Sequence, residues 1–150
     1  MAQSFASVLL HLIYSTKNRA PVLTAEIEPE LYAYQAAIFQ EMGCPAVIIN
    51  GTADHVHGLF RLSRTVAISE LVEEVKKRSS KWLKTKGKAL AGFQWQTGYG
   101  VFSIGESGLE AARIYITRQK EHHRHKTFQE EFLDFLAKYR IEYDERYVWD

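Results

Sequence analysis

Runs of apolar residues bounded by turn residues predict four β-strands along this chain. They cover residues 5–16, 46–50, 56–62 and 99–104. Apolar side chains at helical spacing predict two long helices, one between Thr24 and Gly43 and one between Ser69 and Gly87. The order strand-helix-strand-strand-helix-strand predicts a ferredoxin-like α+β fold, in which an antiparallel sheet has its helices packed on one face.

Two further helices are predicted after the last strand. Residues 109–124 show a helical pattern of apolar positions. A second stripe predicts a shorter helix, formed by Phe128, Phe132, Phe135 and Leu136. The aromatic tail 139–149 is expected to pack back on the body. No repeat or linker divides the sequence, so residues 1–150 are predicted to form one domain.

The composition is that of an ordinary globular protein. The 150 residues are 46% apolar and 25% charged. No segment reaches the ~18 consecutive apolar residues that a membrane span requires, and the start of the chain lacks the features of a signal peptide. We therefore expect a cytoplasmic protein with no membrane partner. The single cysteine, Cys44, excludes an intramolecular disulfide and a cysteine zinc site.

The net charge is only +1, but the basic residues are clustered. Seven lysines and arginines, and no acidic residue, lie between positions 76 and 88, whereas acidic residues collect at 70–74 and from 130 onward. Compensation of the helix dipole accounts for the acidic end of this helix, but seven bases exceed what it requires. The cluster therefore predicts a basic face that can bind a polyanion.

His55 and His57 lie two residues apart in a strand-like run. Because successive side chains of a strand point to opposite faces, both imidazoles project from one face and can share a cation. The alternative is a pair of structural histidines with satisfied hydrogen bonds. Asp54 precedes the pair and is expected to face the opposite side, which leaves a third possibility, a zinc hydrolase, without an evident carboxylate base.

Tyr115 and Gln119 are four residues apart in a predicted helix and share one of its faces. Ile114 and Ile116 are expected to be buried, which leaves Tyr115 free to face a cleft. Two imidazoles and one amide oxygen form a sparse ligand set that fits Mg²⁺ or Mn²⁺ when a phosphate supplies further ligands. Such a cation polarises a scissile phosphate, and a tyrosine of reference pKa about 10 needs a cation or base to become a nucleophile.

Other residues have simpler explanations. Tyr115 itself could merely pack with its hydroxyl at the surface, and Tyr99 is its rival as nucleophile, although no metal-capable residue lies four positions away. His11 is expected to be structural, with a place beside the site as the alternative. Trp95 and Tyr99 are expected to pack in the core or at a dimer interface, with stacking on unpaired bases as the alternative. Three histidines among arginines are expected to be solvated or to face phosphates: His122, His123 and His125.

His55-Val56-His57 matches the His-hydrophobic-His signature of the single-tyrosine HUH transposases, and Tyr115-x-x-x-Gln119 matches their nucleophile helix. The chain resembles the insertion-sequence-200-like transposase family, whose relatives include the REP-associated tyrosine transposases. The resemblance covers nearly the whole chain. It includes Ser15-Thr16-Lys17-Asn18-Arg19, Gly51-x-x-Asp54, Leu71-Val72-x-x-Val75-Lys76, Trp95-Gln96-x-Gly98-Tyr99, Glu121-His122-His123 and Phe128-x-Glu130-Glu131-Phe132.

This resemblance implies a single HUH transposase-like domain over residues 1–150, which acts as a homodimer on single-stranded DNA with hairpin ends. Tyr115 would attack a scissile phosphate and leave a 5′-phosphotyrosine link and a free 3′-OH, with Mg²⁺ or Mn²⁺ held by His55, His57 and Gln119. The 3′-OH of another strand would then resolve the link. The target sequence, the hairpin shape, the metal and the subunit that Tyr115 serves are left open.

The basic helix is the place where phosphate contacts are expected. The candidates are Lys76, Lys77, Arg78, Lys81 and Lys84. The alternative function is a non-catalytic, domesticated module of ferredoxin-like fold that binds hairpin DNA or RNA with this helix alone.

Overall fold

The computed structural model describes residues 2–150, which include a four-stranded antiparallel sheet. The strands are β1 (Leu9–Ser15), β2 (Ala46–Thr52), β3 (His55–Arg61) and β4 (Gly100–Ile104). Their spatial order is β2-β3-β1-β4, and each neighbouring pair is antiparallel. This order, with a helix between β1 and β2 and another between β3 and β4, confirms the predicted ferredoxin-like α+β fold.

Two helices, α1 (Ile27–Glu41) and α2 (Ile68–Leu83), cover one face of the sheet. Because side chains alternate along a strand, Leu10, Leu12 and Tyr14 of β1 all point towards this layer. They pack there with the apolar stripes of both helices in the largest core cluster. Burial of this surface, worth roughly 25 cal/mol per Å² of apolar area, is the main force that holds the layer to the sheet.

The helices that follow β4 form a second layer on the opposite face, which the sequence did not predict. They are α3 (Leu109–Thr117), α4 (Gln119–His122) and α5 (Phe128–Lys138). Ile13 and Phe102 pack against α5, and Leu9 packs near α3. All residues of β1 are consequently buried, since helices lie on both sides of this central strand. Within residues 2–150, no helix combines the length and apolar character needed to cross a membrane.

The helix predicted over residues 109–124 is interrupted at Arg118, between α3 and α4. Asn50 of β2 explains the interruption, because its Nδ2 donates to the carbonyl oxygens of Ile116 and Thr117, at 2.9 and 3.3 Å. These carbonyls lie in the last turn of α3, where backbone acceptors need partners from outside the helix. The prediction of one continuous helix is therefore wrong at this point.

A tight hairpin joins β2 to β3 and places His55 at the start of β3. Gly51 lies opposite Val56 in this hairpin, and a Cβ atom on Gly51 would fall 2.1 Å from the carbonyl oxygen of His55. Only glycine allows this approach of the two backbones. The hairpin thus fixes the position from which His55 enters the second layer.

A capping box begins α5. The backbone N–H of Glu130 donates to Oγ1 of Thr127, and the backbone N–H of Thr127 donates to Oε1 of Glu130, both at 3.1 Å. Such reciprocal bonds satisfy two donors that the first turn of a helix leaves free. The first turn of α5 is therefore defined immediately before Glu131, which is buried.

Candidate metal and nucleophile site

The two histidines of β3 point into the layer formed by α3, α4 and α5. His55 packs against His123 and Phe128, with ring centroids 4.3 and 5.0 Å apart. His57 lies 5.1 Å from His55 between ring centroids, and both side chains are fully buried. The spacing of two along a strand therefore places both imidazoles on one face.

The Nδ1 atom of each imidazole forms a hydrogen bond with a neighbouring side chain. His55 Nδ1 lies 2.7 Å from Asp54 Oδ1 and 2.9 Å from Thr52 Oγ1, and His57 Nδ1 lies 2.7 Å from His11 Nε2. Such outer partners fix the orientation of metal-binding histidines and leave Nε2 for the ion. The expectation that Asp54 faces away is wrong, because this residue lies in the turn before β3 and escapes the strand alternation.

Glu131 of α5 brings a carboxylate to the Nε2 side of the histidine pair. Its Oε1 lies 3.0 Å from His57 Nε2 and 3.1 Å from His123 Nε2. The predicted ligand Gln119 is also present, with Oε1 3.3 Å from His55 Nε2 and 2.9 Å from His123 Nε2. One donor atom from each of the three histidines and from Glu131 lies within 4.8 Å of all the others.

Two residues of this cluster were missed by the sequence-based prediction. His123 was expected to be solvated or to face phosphate, and that expectation is wrong because its ring lies against His55. Its position four residues after Gln119 was the available signal, since such residues share a helix face. For Glu131 the signal was a carboxylate next to Phe132 on the apolar side of α5, because a buried charge requires a partner.

Tyr115 reaches the same carboxylate from α3. Its hydroxyl donates to Oε2 of Glu131, and His122 Nε2 lies 3.3 Å from the hydroxyl oxygen. Tyr115 is half-buried, as is required of a residue that faces a cleft, and Ile116 beside it is buried as predicted. The predicted burial of Ile114 is wrong, since its side chain is 39% exposed.

Burial and Glu131 together control protonation in the cluster. Burial lowers the pKa of His57 to about 4, so its imidazole is neutral and able to bind a metal at neutral pH. Burial alone would raise the pKa of Glu131, but contacts with His123 and His57 outweigh it and hold this pKa well below its usual range. Burial and the ionised Glu131 both raise the pKa of Tyr115, so the tyrosinate is disfavoured in the protein alone.

The donor set fits a divalent cation. Neutral imidazoles, a carboxylate and an amide oxygen are ligands that Mn²⁺ accepts, and oxygen ligands suit Mg²⁺. The buried Glu131 carboxylate also needs a positive charge in its surroundings, which an ion among His55, His57 and Gln119 would supply. A cation at this place would favour the tyrosinate form of Tyr115 as well, because an opposite charge nearby lowers the pKa of an acid.

Four of the predicted DNA-contact residues lie on α2 and Lys84 directly follows it, in the helical layer on the opposite side of the sheet. Lys76 is held by a neighbouring loop, because its Nζ donates to the carbonyl oxygens of Gln96 and Gly98 at 2.8 and 2.6 Å. Burial lowers the pKa of Lys76 to about 8. Lys76 therefore organises this loop and is not a freely presented phosphate ligand.

The other four members of this set lie at or near the surface of α2. Lys77 forms an ion pair with Glu74 at 3.0 Å, and Arg78 forms one with Glu41 at 2.7 Å. Exposed ion pairs of this kind exchange readily for other partners, since they are worth ~0–1 kcal/mol. Three members are exposed, namely Lys77, Lys81 and Lys84. Their role in DNA binding stays a prediction.

The fold and the cluster define a class. A ferredoxin-like sheet that carries a His-hydrophobic-His pair beside a helical tyrosine has the plan of an HUH protein. The family model described as "Transposase IS200 like" matches residues 4–119, and the chain belongs to this family of transposases. Among curated proteins, the ISDra2 transposase TnpA of Deinococcus radiodurans is 26% identical, over 74% of this chain and 83% of that protein.

Solved structures show the same fold. A crystal structure of a putative transposase from Deinococcus radiodurans R1 superposes with a TM-score of 0.62 at 24% identity, over 79% of this chain and 98% of that one. The REP-associated tyrosine transposase bound to a REP hairpin superposes with a TM-score of 0.59 at 14% identity, over 82% of this chain and 73% of that one.

Proposed function

We propose that this chain is a metal-dependent transposase that cleaves and rejoins single-stranded DNA through a 5′-phosphotyrosine intermediate at Tyr115. One observation carries the proposal: a single buried carboxylate contacts both the nucleophile and a candidate metal ligand. Glu131 accepts the hydroxyl of Tyr115 at Oε2 and lies 3.0 Å from His57 Nε2 at Oε1. Membership of the IS200-like transposase family supports the same activity.

The reaction is a pair of transesterifications. The hydroxyl oxygen of Tyr115 forms a bond to the scissile phosphorus, the bond from phosphorus to the 3′ oxygen breaks, and that oxygen leaves as a 3′-OH. In the second step a 3′-OH of another strand attacks the phosphotyrosine and releases Tyr115. One phosphodiester bond is replaced by another at each step, so the cycle needs no nucleotide cofactor. Before attack, Glu131 holds and aims the Tyr115 hydroxyl.

The proposed cofactor is Mg²⁺ or Mn²⁺, held by His55, His57 and Gln119. The structure supports two further donors close to these three, His123 and Glu131. When bound, the cation would polarise the scissile phosphate and compensate its developing charge. The chain itself prepares the ligands, because Asp54 and His11 hold the two Nδ1 atoms of the histidine pair.

The proposed partner is single-stranded DNA with hairpin ends. The REP-associated relative of the same fold is bound to a REP hairpin, which supports this choice of substrate. Lys77, Arg78, Lys81 and Lys84 are proposed to contact DNA phosphates, and Lys76 to support the loop beside them. We also propose a homodimer as the functional unit.

Substitution of the nucleophile tests the reaction directly. Tyr115→Phe removes one oxygen atom and keeps the ring that packs near His57. We expect this variant to bind hairpin-bearing single strands as the wild type does, and to form no covalent protein–DNA adduct. Incubation with labelled DNA and Mg²⁺ or Mn²⁺, followed by denaturing electrophoresis, measures the adduct.

Tyr99→Phe is the matched control, because Tyr99 is the rival tyrosine and is 37% exposed away from the histidine pair. An adduct that persists in Tyr115→Phe and disappears in Tyr99→Phe would contradict the assignment. Reversible binding without an adduct in the wild type, with either metal, would instead support the non-catalytic hairpin-binding module.

A further inference from the structure

A cavity of about 550 Å³ opens between α3 and α5 and ends at the candidate nucleophile. Small residues form the wall on the side of α3, aromatic residues form the wall on the side of α5, and Tyr115 lies with His11 at the inner end. The walls include Gly105, Gly108, Ala111, Phe135 and Tyr139. We propose that this cavity receives the unpaired base of a nucleotide that adjoins the scissile phosphate.

The assignment of this cavity to a nucleotide next to the scissile phosphate follows from the reaction, so this inference rests on the proposed function. A phosphorus atom that Tyr115 attacks must approach its hydroxyl to about 3–3.5 Å. The same hydroxyl lies at the inner end of the cavity, beside Glu131. A nucleotide next to that phosphate therefore has its base within reach of the cavity, whereas a hairpin stem is too wide to enter it.

The size and the walls suit a base. Pockets for small molecules measure roughly 300–1,000 Å³, and this cavity lies within that range. Phe135 presents an aromatic ring between Tyr115 and Phe102, at centroid distances of 5.9 and 5.2 Å. Stacking of an unpaired base on an aromatic side chain is worth ~1–3 kcal/mol. The walls can therefore stabilise a base that has left its stack.

The charge at the rim suits the attached backbone. Lys138 lines the cavity and makes no ion pair within residues 2–150, so its ammonium group is available to a phosphate. Lys126 also lines the cavity, where it pairs with Asp134. Glu131 also lines the cavity, with one carboxylate oxygen on His57 and His123 and the other accepting the hydroxyl of Tyr115. Lys126 compensates Asp134 and the histidines compensate Glu131, so the charge of Lys138 remains for a backbone phosphate, and such a site matches a nucleotide better than it matches an apolar peptide.

The absence of side-chain bulk on α3 keeps the cavity open and gives a clean test. Ala111→Leu extends an exposed alanine into the cavity without changing Tyr115 or a metal-site residue. Ala137→Leu is the matched control, since Ala137 is an exposed alanine of α5 outside the cavity lining. Phe135→Leu, which removes the aromatic wall, is a second variant should Ala111→Leu fail to fold.

The first experiment measures binding without cleavage. Hairpin-bearing single strands carry 2-aminopurine on the 5′ or the 3′ side of the scissile phosphate, and Tyr115→Phe serves as the background. We expect at least a threefold fluorescence change at one of the two positions on binding. The change should be lost with Ala111→Leu and kept with Ala137→Leu, at equal hairpin affinity measured by anisotropy. Equal fluorescence in both variants, or no change at either position, would overturn the inference.

The second experiment measures adduct formation and separates this inference from the proposed function. An abasic site at the responsive position should slow adduct formation by the wild type at least tenfold. Ala111→Leu should slow adduct formation on the intact substrate by the same factor, and should cause no further slowing on the abasic substrate. If the rate of adduct formation is the same with and without the abasic site and with and without Ala111→Leu, the assignment of the cavity is refuted and the proposed function is not. No adduct from any substrate overturns the proposed function, and the fluorescence result then decides the cavity independently.

Discussion

At the scale of single residues, Glu131 connects the chemistry of the site. One carboxylate oxygen contacts His57 and His123, and the other accepts the hydroxyl of Tyr115. Burial keeps His57 neutral at neutral pH, whereas for His123 the hydrogen bond and charge of Glu131 outweigh burial and raise its pKa. A divalent cation would add further positive charge beside the buried carboxylate. The proposed nucleophile and the proposed metal ligands are therefore coupled through one side chain of α5.

The sequence revealed four of the six residues of this cluster. His55 and His57 could be proposed because they lie two apart in one strand, and Tyr115 and Gln119 because they lie four apart in one predicted helix, where spacing fixes the shared face. Glu131 and His123 meet them only after α5 has packed on the sheet. No local spacing encodes that contact. A carboxylate on an apolar helix face shows that a partner exists, but does not identify the partner.

Acid should destabilise the fold through His57. Its pKa is about 4 in the folded protein and about 6.5 when exposed, so the unfolded chain binds the proton first. The stabilising contribution is complete above pH 6.5 and is lost as the pH falls to about 4, a change of ~3 kcal/mol. Urea denaturation of the metal-free protein from pH 7 to 4 measures it.

His57→Gln should show a shallower loss of stability over that pH window, because the titrating group is absent. The exposed His125→Gln is the matched control and should behave as the wild type. A slope in His57→Gln equal to that of the wild type would show that other groups dominate the acid response.

At the scale of elements, the break between α3 and α4 determines where the proposed nucleophile, Tyr115, lies. Asn50 of β2 binds the end of α3, and Lys120 of α4 pairs at 2.7 Å with the buried Glu28 of α1. Both contacts attach this segment to elements of the same chain. The sequence predicted a continuous helix here, because the residue that interrupts it is 66 positions earlier.

Asn50→Ala should make the segment of residues 109–122, which carries Tyr115, more mobile. The loss of the amide donor removes hydrogen bonds worth about 1 kcal/mol, which corresponds to roughly fivefold faster amide exchange over residues 109–122. We expect adduct formation to slow by a similar or larger factor at unchanged hairpin affinity, because Tyr115 is less well positioned. Hydrogen exchange and single-turnover rates measure the two effects.

Asn50→Asp is the informative companion to this variant. It keeps the size of the side chain but places a carboxylate against the carbonyl oxygens of Ile116 and Thr117, so it should be at least as harmful as alanine. Unchanged exchange over residues 109–122 in both variants would refute the positioning role.

At the scale of the whole molecule, one sheet separates two helical layers with different tasks. The layer of α1 and α2 contains the largest apolar core, whereas the layer of α3 to α5 contains the polar cluster. The first layer could be predicted from the strand and helix order. The second could not, because its position depends on which face of the sheet the chain reaches after β4.

A bound cation should join the sheet to the second layer and raise the stability of the whole protein. At a free concentration of 100 times Kd, one ion stabilises the fold by about 2.7 kcal/mol, equivalent to roughly 5–10 °C in Tm. Mn²⁺ should bind more tightly than Mg²⁺, because nitrogen ligands suit it better. Thermal melts with each ion measure the shift.

Glu131→Gln should lose most of that shift, and the exposed Glu130→Gln is a control that alters the adjacent residue. An equal shift in both variants would place the ion elsewhere. Because the melt needs no DNA, this result concerns only the metal.

The capping box at the start of α5 helps to fix the rotation of this helix about its axis, on which the position of Glu131 depends. An α-helix rotates by 100° per residue, because 3.6 residues make one turn. If α5 packed on the sheet with its register shifted by one residue, the Glu131 carboxylate would rotate about the helix axis by that angle. It would then lose its contacts with His57 and Tyr115. The hydrogen bonds between Thr127 and Glu130 oppose such a slip. Two solvent-exposed side chains thus set the rotational phase on which the buried site depends.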